Sequence, residues 1–201
     1  MLARYKEEQL HAIRDERREQ IMRAGFKVFA RRGIVGTKMS MVAQEAGVSK
    51  GLLYLYFSSK EALFIDLIRE AMEGAMTAMT ELEQMPGSAT DKIRAFTDAT
   101  YNESDRNYFR LVHHAYTADE VPEEAKSMLT GQYSLSAFVD RLQPLFAEGQ
   151  RTGELVEGDT RKLVAAYLTA INGLMLIDLD EGSQYLLPDT DTLMRMVTKR
   201  S

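Results

Sequence analysis

The sequence predicts an all-α protein, with a three-helix head over residues 1–60 and a larger helical body over residues 61–201. Three observations lead there. Apolar residues recur at i, i+3, i+4 and i+7 along most of the chain, and no run keeps the period of two that a half-buried strand requires. Proline is scarce, 4 residues in 201, while hydrophobic residues make up 45% and charged residues 27%, a helical globule's balance. Gly, Ser, Thr and Asp fall between the periodic segments, where helix ends use them. There is no internal repeat and no low-complexity tract.

In the head, Ile21, Ala24, Gly25, Val28 and Phe29 form one apolar face of a long first helix. Arg31 and Arg32 suit the negative end of its dipole, and Gly33 supplies the stop. Before Gln20, Arg4, Lys6, Arg14, Arg17 and Arg18 interleave with Glu7, Glu8, Asp15, Glu16 and Glu19. Their i, i+3 and i+4 spacing favours a salt-laced continuation of the first helix over a free basic arm. Thr37 or Lys38 opens a short second helix through Met39, Val42, Ala43 and Ala46, closed by Gly47. Ser49 caps a third helix, Lys50 to Tyr56. Ser58 with Glu61 three residues on reads as a capping box for a fourth helix reaching about Gln84.

"MPGSAT" at 85–90 is the clearest loop. Beyond it, helices are expected at about 90–103, 105–117, 122–150, 159–181 and 189–200. Thr90, Ser104, Asp159 and Asp189 are candidate N-caps, Pro122 suits a first turn, and Gly149 and Gly153 mark an exit.

Charge is distributed unevenly. Residues 1–60 hold 12 Lys/Arg against 6 Asp/Glu, and the remainder holds 13 against 24, giving the net charge of −5. A basic third on an acidic protein points to a polyanion as partner of that third. The absence of cysteine excludes a disulfide framework, a thiolate zinc site and a cysteine nucleophile, and fits a reducing cytoplasm. The N-terminus has no apolar signal-peptide core. The most apolar stretch, Leu163 to Leu179, contains Asn172 and is short for a membrane span, so a cytoplasmic protein without membrane insertion is expected.

Two short helices joined at "AGVS" match the helix-turn-helix unit. With Leu53 at the centre of the inner face of Lys50 to Tyr56, Phe57 falls beside it and Val48 can seal the same core. Gly51, Leu52 and Leu55 then point outward, with Tyr54 on one flank. Such a face suits the major groove of double-stranded DNA better than it suits water. Gly51 lets the backbone approach a phosphate, Ser49 and Lys50 meet phosphates at the helix start, and a leucine can touch a thymine methyl. The hydroxyls of Tyr54 and Tyr56 can reach phosphate oxygens, as can Lys60 in the first turn of the next helix. Chance clustering of charge and a merely structural turn would require four features to coincide: the turn, the outward leucines, the basic surplus and the capping box.

The stretch "FARRGIVGTKMSMVAQEAGVSKGLLYLYFSSKEALF" (29–64) resembles the DNA-binding head of tetracycline-repressor-like (TetR) regulators. The resemblance lies in the "F…G" end of the first helix, in "T…VA…AGVSKG", in the aromatic third helix and in the "K..L" opening of the fourth. It is dense over about a fifth of the chain. In the body, "LFAEGQRTGEL" and "LVAAYLTAINGLML" look like that family's seventh-helix end and eighth helix. The resemblance implies DNA contacts at Thr37, Lys38, Ser40, Ser49, Lys50, Gly51, Leu52, Tyr54, Tyr56 and Lys60. Leu55 stands where an aromatic or histidine is frequent, and Leu52 where a small hydroxyl residue is, which bears on the bases read.

In the body, Met72, Met76 and Met79 form a stripe that is core or the soft wall of a site for a hydrophobic small-molecule effector. Phe96, Tyr101, Phe109, Tyr133 and Phe138 add aromatic walls, and His113 of the His113–His114 pair adds a polar contact. Adjacent histidines on a helix diverge by about 100° and cannot chelate as an i, i+4 pair does, so no metal is expected. In 163–179, apolar almost all round, the small residues Ala165, Ala166, Ala170 and Gly173 permit close helix approach, and Ala166, Ala170, Gly173 and Leu174 are the candidate interface residues. The resemblance implies a homodimer in which this helix and Leu193, Met194 and Val197 of the last one form a four-helix seam. No cofactor is expected, and the enzyme motifs are missing: no Walker loop, no G-x-G-x-x-G, no nucleophile elbow and no paired Glu-x-x-His. The implied function is that of a ligand-responsive repressor on a palindromic operator. The rival is a helical lipid-binding or adaptor protein whose head serves only as packing.

Overall fold

The computed structural model describes residues 2–101, 106–177 and 186–199, with side chains from residue 11 onward. The expected cap Ser104 and the helix ends placed at 102–103, 178–181 and 200 lie outside the described residues, as do the side chains of Arg4, Lys6, Glu7 and Glu8. The helices are α1 (Leu2–Gly36), α2 (Met39–Glu45), α3 (Lys50–Tyr56), α4 (Lys60–Gln84) and α5 (Ala89–Thr100). They continue as α6 (Arg106–Thr117), α7 (Glu123–Thr130), α8 (Leu135–Arg151), α9 (Thr160–Leu176) and α10 (Thr190–Met194).

The chain forms two compact units, one of Met1–Ala71 with Arg110–Lys126, the other of Met72–Phe109 with Ser127–Ser201. The first unit extends past residue 60 for a physical reason. Leu63, Phe64, Leu67 and Ile68 of α4 are fully buried, Phe64 packs its ring 5.4 Å from Phe29, and a Cβ on Gly25 would stand 3.1 Å from Leu67. The first turns of α4 are therefore core of the head. α1 is helical from Leu2, and Gly33 breaks it with φ 62 and ψ −178, the expected stop. The expected ionic lacing is thin among the described side chains. Glu19 pairs with Arg23 at i, i+4, whereas Arg17 bonds Gln20 and Arg18 crosses to Asp66. Ile13 is exposed.

Three sequence assignments shift by a residue or a turn. Ser59, not Ser58, caps α4, its Oγ accepting from the Ala62 amide at 3.0 Å. Ser88, not Thr90, caps α5 in a reciprocal box with Asp91. The single helix expected over 122–150 is two, because the chain turns at Gly131–Tyr133 and restarts with Ser134 capping α8.

The second unit is built around α8 and α9. Phe146, fully buried, sets its ring 5.4 Å from Tyr167, and Phe96 stands 6.4 Å from Tyr167 on another side. The Tyr167 hydroxyl donates to Thr97 Oγ1 at 2.7 Å, and Thr97 in turn donates to the Ile93 carbonyl, so this buried polar pair is satisfied. Burial raises the Tyr167 phenol far above its ordinary pKa. The last helix is shorter than expected. After Met194 the chain turns, and Thr198 forms an antiparallel bridge with Leu155, with Lys199 donating to the Glu154 carbonyl.

That arrangement depends on Gly149. An added Cβ there would lie 2.5 Å from Leu155 Cγ and 3.0 Å from the Ala89 Cβ. Gly149→Ala is therefore expected to cost about 1–3 kcal/mol through overpacking, seen as a lower urea midpoint. Nearby, the Glu154 carboxylate accepts from the Thr90 amide at 2.9 Å and from the Thr152 hydroxyl at 2.7 Å. The Thr90 bond first, then the Thr152 bond, hold its pKa down at about 2 against an ordinary 4.5. A carboxyl whose folded pKa is depressed stabilises fully above the ordinary value and loses that contribution as pH falls through the folded one. The stability advantage of wild type over Glu154→Gln should shrink from pH 4.5 down to about 2, measurable by urea titrations along that series.

Candidate nucleic-acid interface

The α2–α3 unit follows from local chemistry. α2 ends at Glu45 with Ala46 as its C-cap, and Gly47 adopts φ 64, which allows its amide and that of Val48 to bond back to Gln44 and Ala43. Ser49 caps α3, its Oγ accepting from the Leu52 amide at 3.1 Å. Leu53 and Phe57 are buried and anchor α3 inward, with Val48 half-buried beside them. Outward, Leu55 is 77% exposed and Tyr54 44% exposed, while Leu52 and Tyr56 are half-buried. Gly51 is exposed with nothing within 4 Å of an added Cβ, so a second surface can approach its backbone. Lys38, Ser40, Ser49 and Lys50 are exposed on the same unit, and the Lys50 ammonium sits 5.8 Å from the Tyr54 ring.

Two of the proposed contacts are otherwise occupied. Thr37 is only 1% exposed, and its hydroxyl donates to the Gly33 carbonyl at 2.7 Å, a packing and capping role at the end of α1. It is not presented to a phosphate. Lys60 donates to the Ile34 carbonyl at 2.9 Å, so at least one of its three hydrogens serves the α1 terminus.

One feature escaped the sequence reading. Gln20 Nε2 donates to the Ala46 carbonyl at 2.6 Å, and the Arg18 guanidinium lies 5.4 Å over the Phe57 ring. These partners are 26 and 39 residues away along the chain, beyond the reach of any local periodicity.

In the second unit, Met76, Phe96, Tyr101, Phe109 and Phe138 all lie partly buried against one core, whereas Met72 and Tyr133 are buried. His113 does not join them. It is exposed and belongs to the first unit, because the buried face of α6 there is Leu111 and Ala115. His114, next to that face, is the partnered histidine, its Nε2 3.2 Å from the Ala30 carbonyl.

On α9, Ala166 and Gly173 are exposed and Ala170 and Leu174 half-buried. An open apolar groove of about 340 Å³ runs along Ala170, Gly173 and Leu174 to Leu193 and Met196. Leu193 and Val197, expected at a seam, are buried in the protomer itself, Val197 in the core around Phe146 and Tyr167. The chain turns after α10 and leaves Met196 48% exposed.

No helix among the described residues is long and apolar enough to cross a membrane. Residues 21–67 match the family described as bacterial regulatory proteins, tetR family. The HTH-type transcriptional regulator YerO of Bacillus subtilis is 25% identical over 196 residues, spanning 92% of this chain and 67% of that protein. Among solved structures, a TetR-family regulator from Agrobacterium tumefaciens superposes with a TM-score of 0.72 at 17% identity, over 92% of this chain and 99% of the other. The regulator FadR of Bacillus subtilis, solved with stearoyl-CoA, superposes with a TM-score of 0.61 at 24% identity, over 89% and 96%.

Proposed function

We propose, from the premise that this chain belongs to the TetR family of bacterial transcriptional regulators, that it represses transcription as a homodimer bound to a palindromic operator and leaves that operator when a lipophilic effector binds. The observation that carries the reading is the outer face of α3. Leucine and tyrosine stand in solvent there, with Lys50 against the Tyr54 ring, on a head with a surplus of cations. A seven-residue helix gains nothing from such a face in water and gains base-edge contacts in a major groove. In a twofold dimer the two α3 helices would fall near one DNA turn apart, roughly 34–36 Å.

The effector reading draws on Met76, Phe96, Tyr101, Phe109 and Phe138, gathered on one core, and on the buried Met72 and Tyr133 of the same unit. The stearoyl-CoA of FadR makes long-chain acyl thioesters the first class to try. α4 has its start in the first unit and its end in the second, so a ligand that displaced its later turns would be felt at its earlier ones. Operator and effector would then weaken each other by the same factor, on the order of 1–3 kcal/mol. The deciding experiment selects a duplex from a random pool with the purified protein, then titrates palmitoyl-CoA into the complex. Release of the duplex supports the reading. Selection of no duplex at any salt concentration favours the helical adaptor in which the head only packs.

About six to ten phosphate contacts per dimer would make affinity fall steeply with salt. Lys50→Ala is expected to weaken all duplexes alike and to reduce the salt slope by about 2 per dimer, one for each copy. Fluorescence anisotropy across a salt series checks this. A loss confined to the selected sequence would assign Lys50 to base reading instead.

A further inference from the structure

One turn of α1, just before the matched segment 21–67, holds the end of α2, where the turn into α3 begins, and the end of α3. At the entry, Gln20 Nε2 donates to the Ala46 carbonyl at 2.6 Å, and Arg17 Nη1 donates to Gln20 Oε1 at 2.6 Å, which fixes the amide with its NH₂ toward the turn. At the exit, the Arg18 guanidinium lies over the ring of Phe57, the residue that ends α3. The same guanidinium bonds Asp66 of α4 at 2.8 Å, and the other oxygen of Asp66 accepts from Arg69 at 2.6 Å. The carboxylate that holds Arg18 is thus itself held.

α3 needs such support. It has seven residues, of which Leu53 alone is buried, and helices shorter than about 12 residues are marginal by themselves. A seven-residue helix is about 10 Å long. A tilt of roughly 10° would carry its far end about 2 Å, beyond the tolerance of a hydrogen bond to a base edge. The contact between Lys50 and the Tyr54 ring lies within α3 and cannot resist that tilt.

We propose that Arg17, Arg18 and Gln20 are positioning residues for sequence recognition, fixing the pitch of α3 against α1 and α4 without touching DNA. The inference rests on the DNA-binding reading above. It assigns sequence discrimination in part to side chains outside the helix-turn-helix unit.

Two conservative variants of the full chain test it. Gln20→Glu keeps the side-chain length and the Arg17 partner but turns an acceptor toward the Ala46 carbonyl. Arg18→Lys keeps the charge for Asp66 but removes the flat cation from the Phe57 ring. Each is titrated against the duplex selected by wild type and against a scrambled duplex, over a salt series. A loss of about tenfold or more on the selected duplex, no more than about twofold on the scrambled one, and an unchanged salt slope are expected. Unchanged affinity for the selected duplex overturns the inference. Equal losses on both duplexes with a shallower slope also overturn it, because Arg18 would then be a phosphate contact. Hydrogen exchange covers the case of a damaged head. Faster exchange at 47–57 with protection retained over 21–32 supports positioning, and acceleration throughout the head overturns it. If wild type selects no duplex, the DNA-binding reading itself fails, an outcome distinct from variants that bind as wild type does.

Discussion

Gly173→Arg is expected to halve the molar mass in solution and to lower operator affinity by about a thousandfold or more. The argument starts from the surface of α9. Gly173 is exposed and nothing lies within 4 Å of an added Cβ, so the protomer has room for the new side chain. Its own packing is untouched, and far-UV circular dichroism should not change. In the proposed dimer the same groove, from Ala170 past Gly173 and Leu174 to Met196, meets its copy. An isologous seam through this groove would bury both new guanidinium groups, desolvated and without partners. A lone head keeps the contacts of one half-site only, and its affinity falls toward non-specific binding. Light scattering that shows the dimer mass, with operator affinity intact, would move the seam away from α9.

Phe146→Ala should give the largest loss of stability. The ring is fully buried between α8 and α9, 5.4 Å from Tyr167, which in turn packs on Phe96 and reaches Thr97. Removing it opens a cavity in the middle of the second unit and costs about 3–5 kcal/mol, of which roughly 0.5–1.5 is the aromatic pairing. The Tyr167–Thr97 bond would then border a void. The urea midpoint should fall sharply, and a loss below about 1 kcal/mol would show that the core tolerates collapse onto the missing ring.

The head was legible because its signals are local. The Ser49 cap, the Gly47 turn and the alternation of buried Leu53 with exposed Tyr54 and Leu55 all fall within a stretch of nine residues. Thr37 was misread for the opposite reason. Its side chain bonds a carbonyl four residues back, and no pattern distinguishes that from a hydroxyl facing outward. Likewise the Arg18 and Gln20 contacts cross from α1 to Asp66 and Ala46, distances in sequence at which only the folded chain decides. In the body, the apolar run on α9 was visible, but the turn after Met194 that leads to the bridge of Thr198 with Leu155, and the packing of Val197 in the core of Phe146 and Tyr167, depend on partners distant in sequence. Tyr167 stayed unremarked among small apolar neighbours, although it joins Phe96, Phe146 and Thr97. The break at Gly131 was hidden because the segments on both sides of it are good helix formers.

The aliphatic and aromatic face of α3 has a thermodynamic consequence. In the proposed complex, contacts made through the Leu55 side chain and the Tyr54 ring would draw their free energy from water expelled at the groove floor, not from ions shed by the phosphates. That share of the association persists in concentrated electrolyte, where the cationic share has faded. It also brings a fall in heat capacity on docking, so the balance between discriminating and indiscriminate attachment shifts toward discrimination as ionic strength rises.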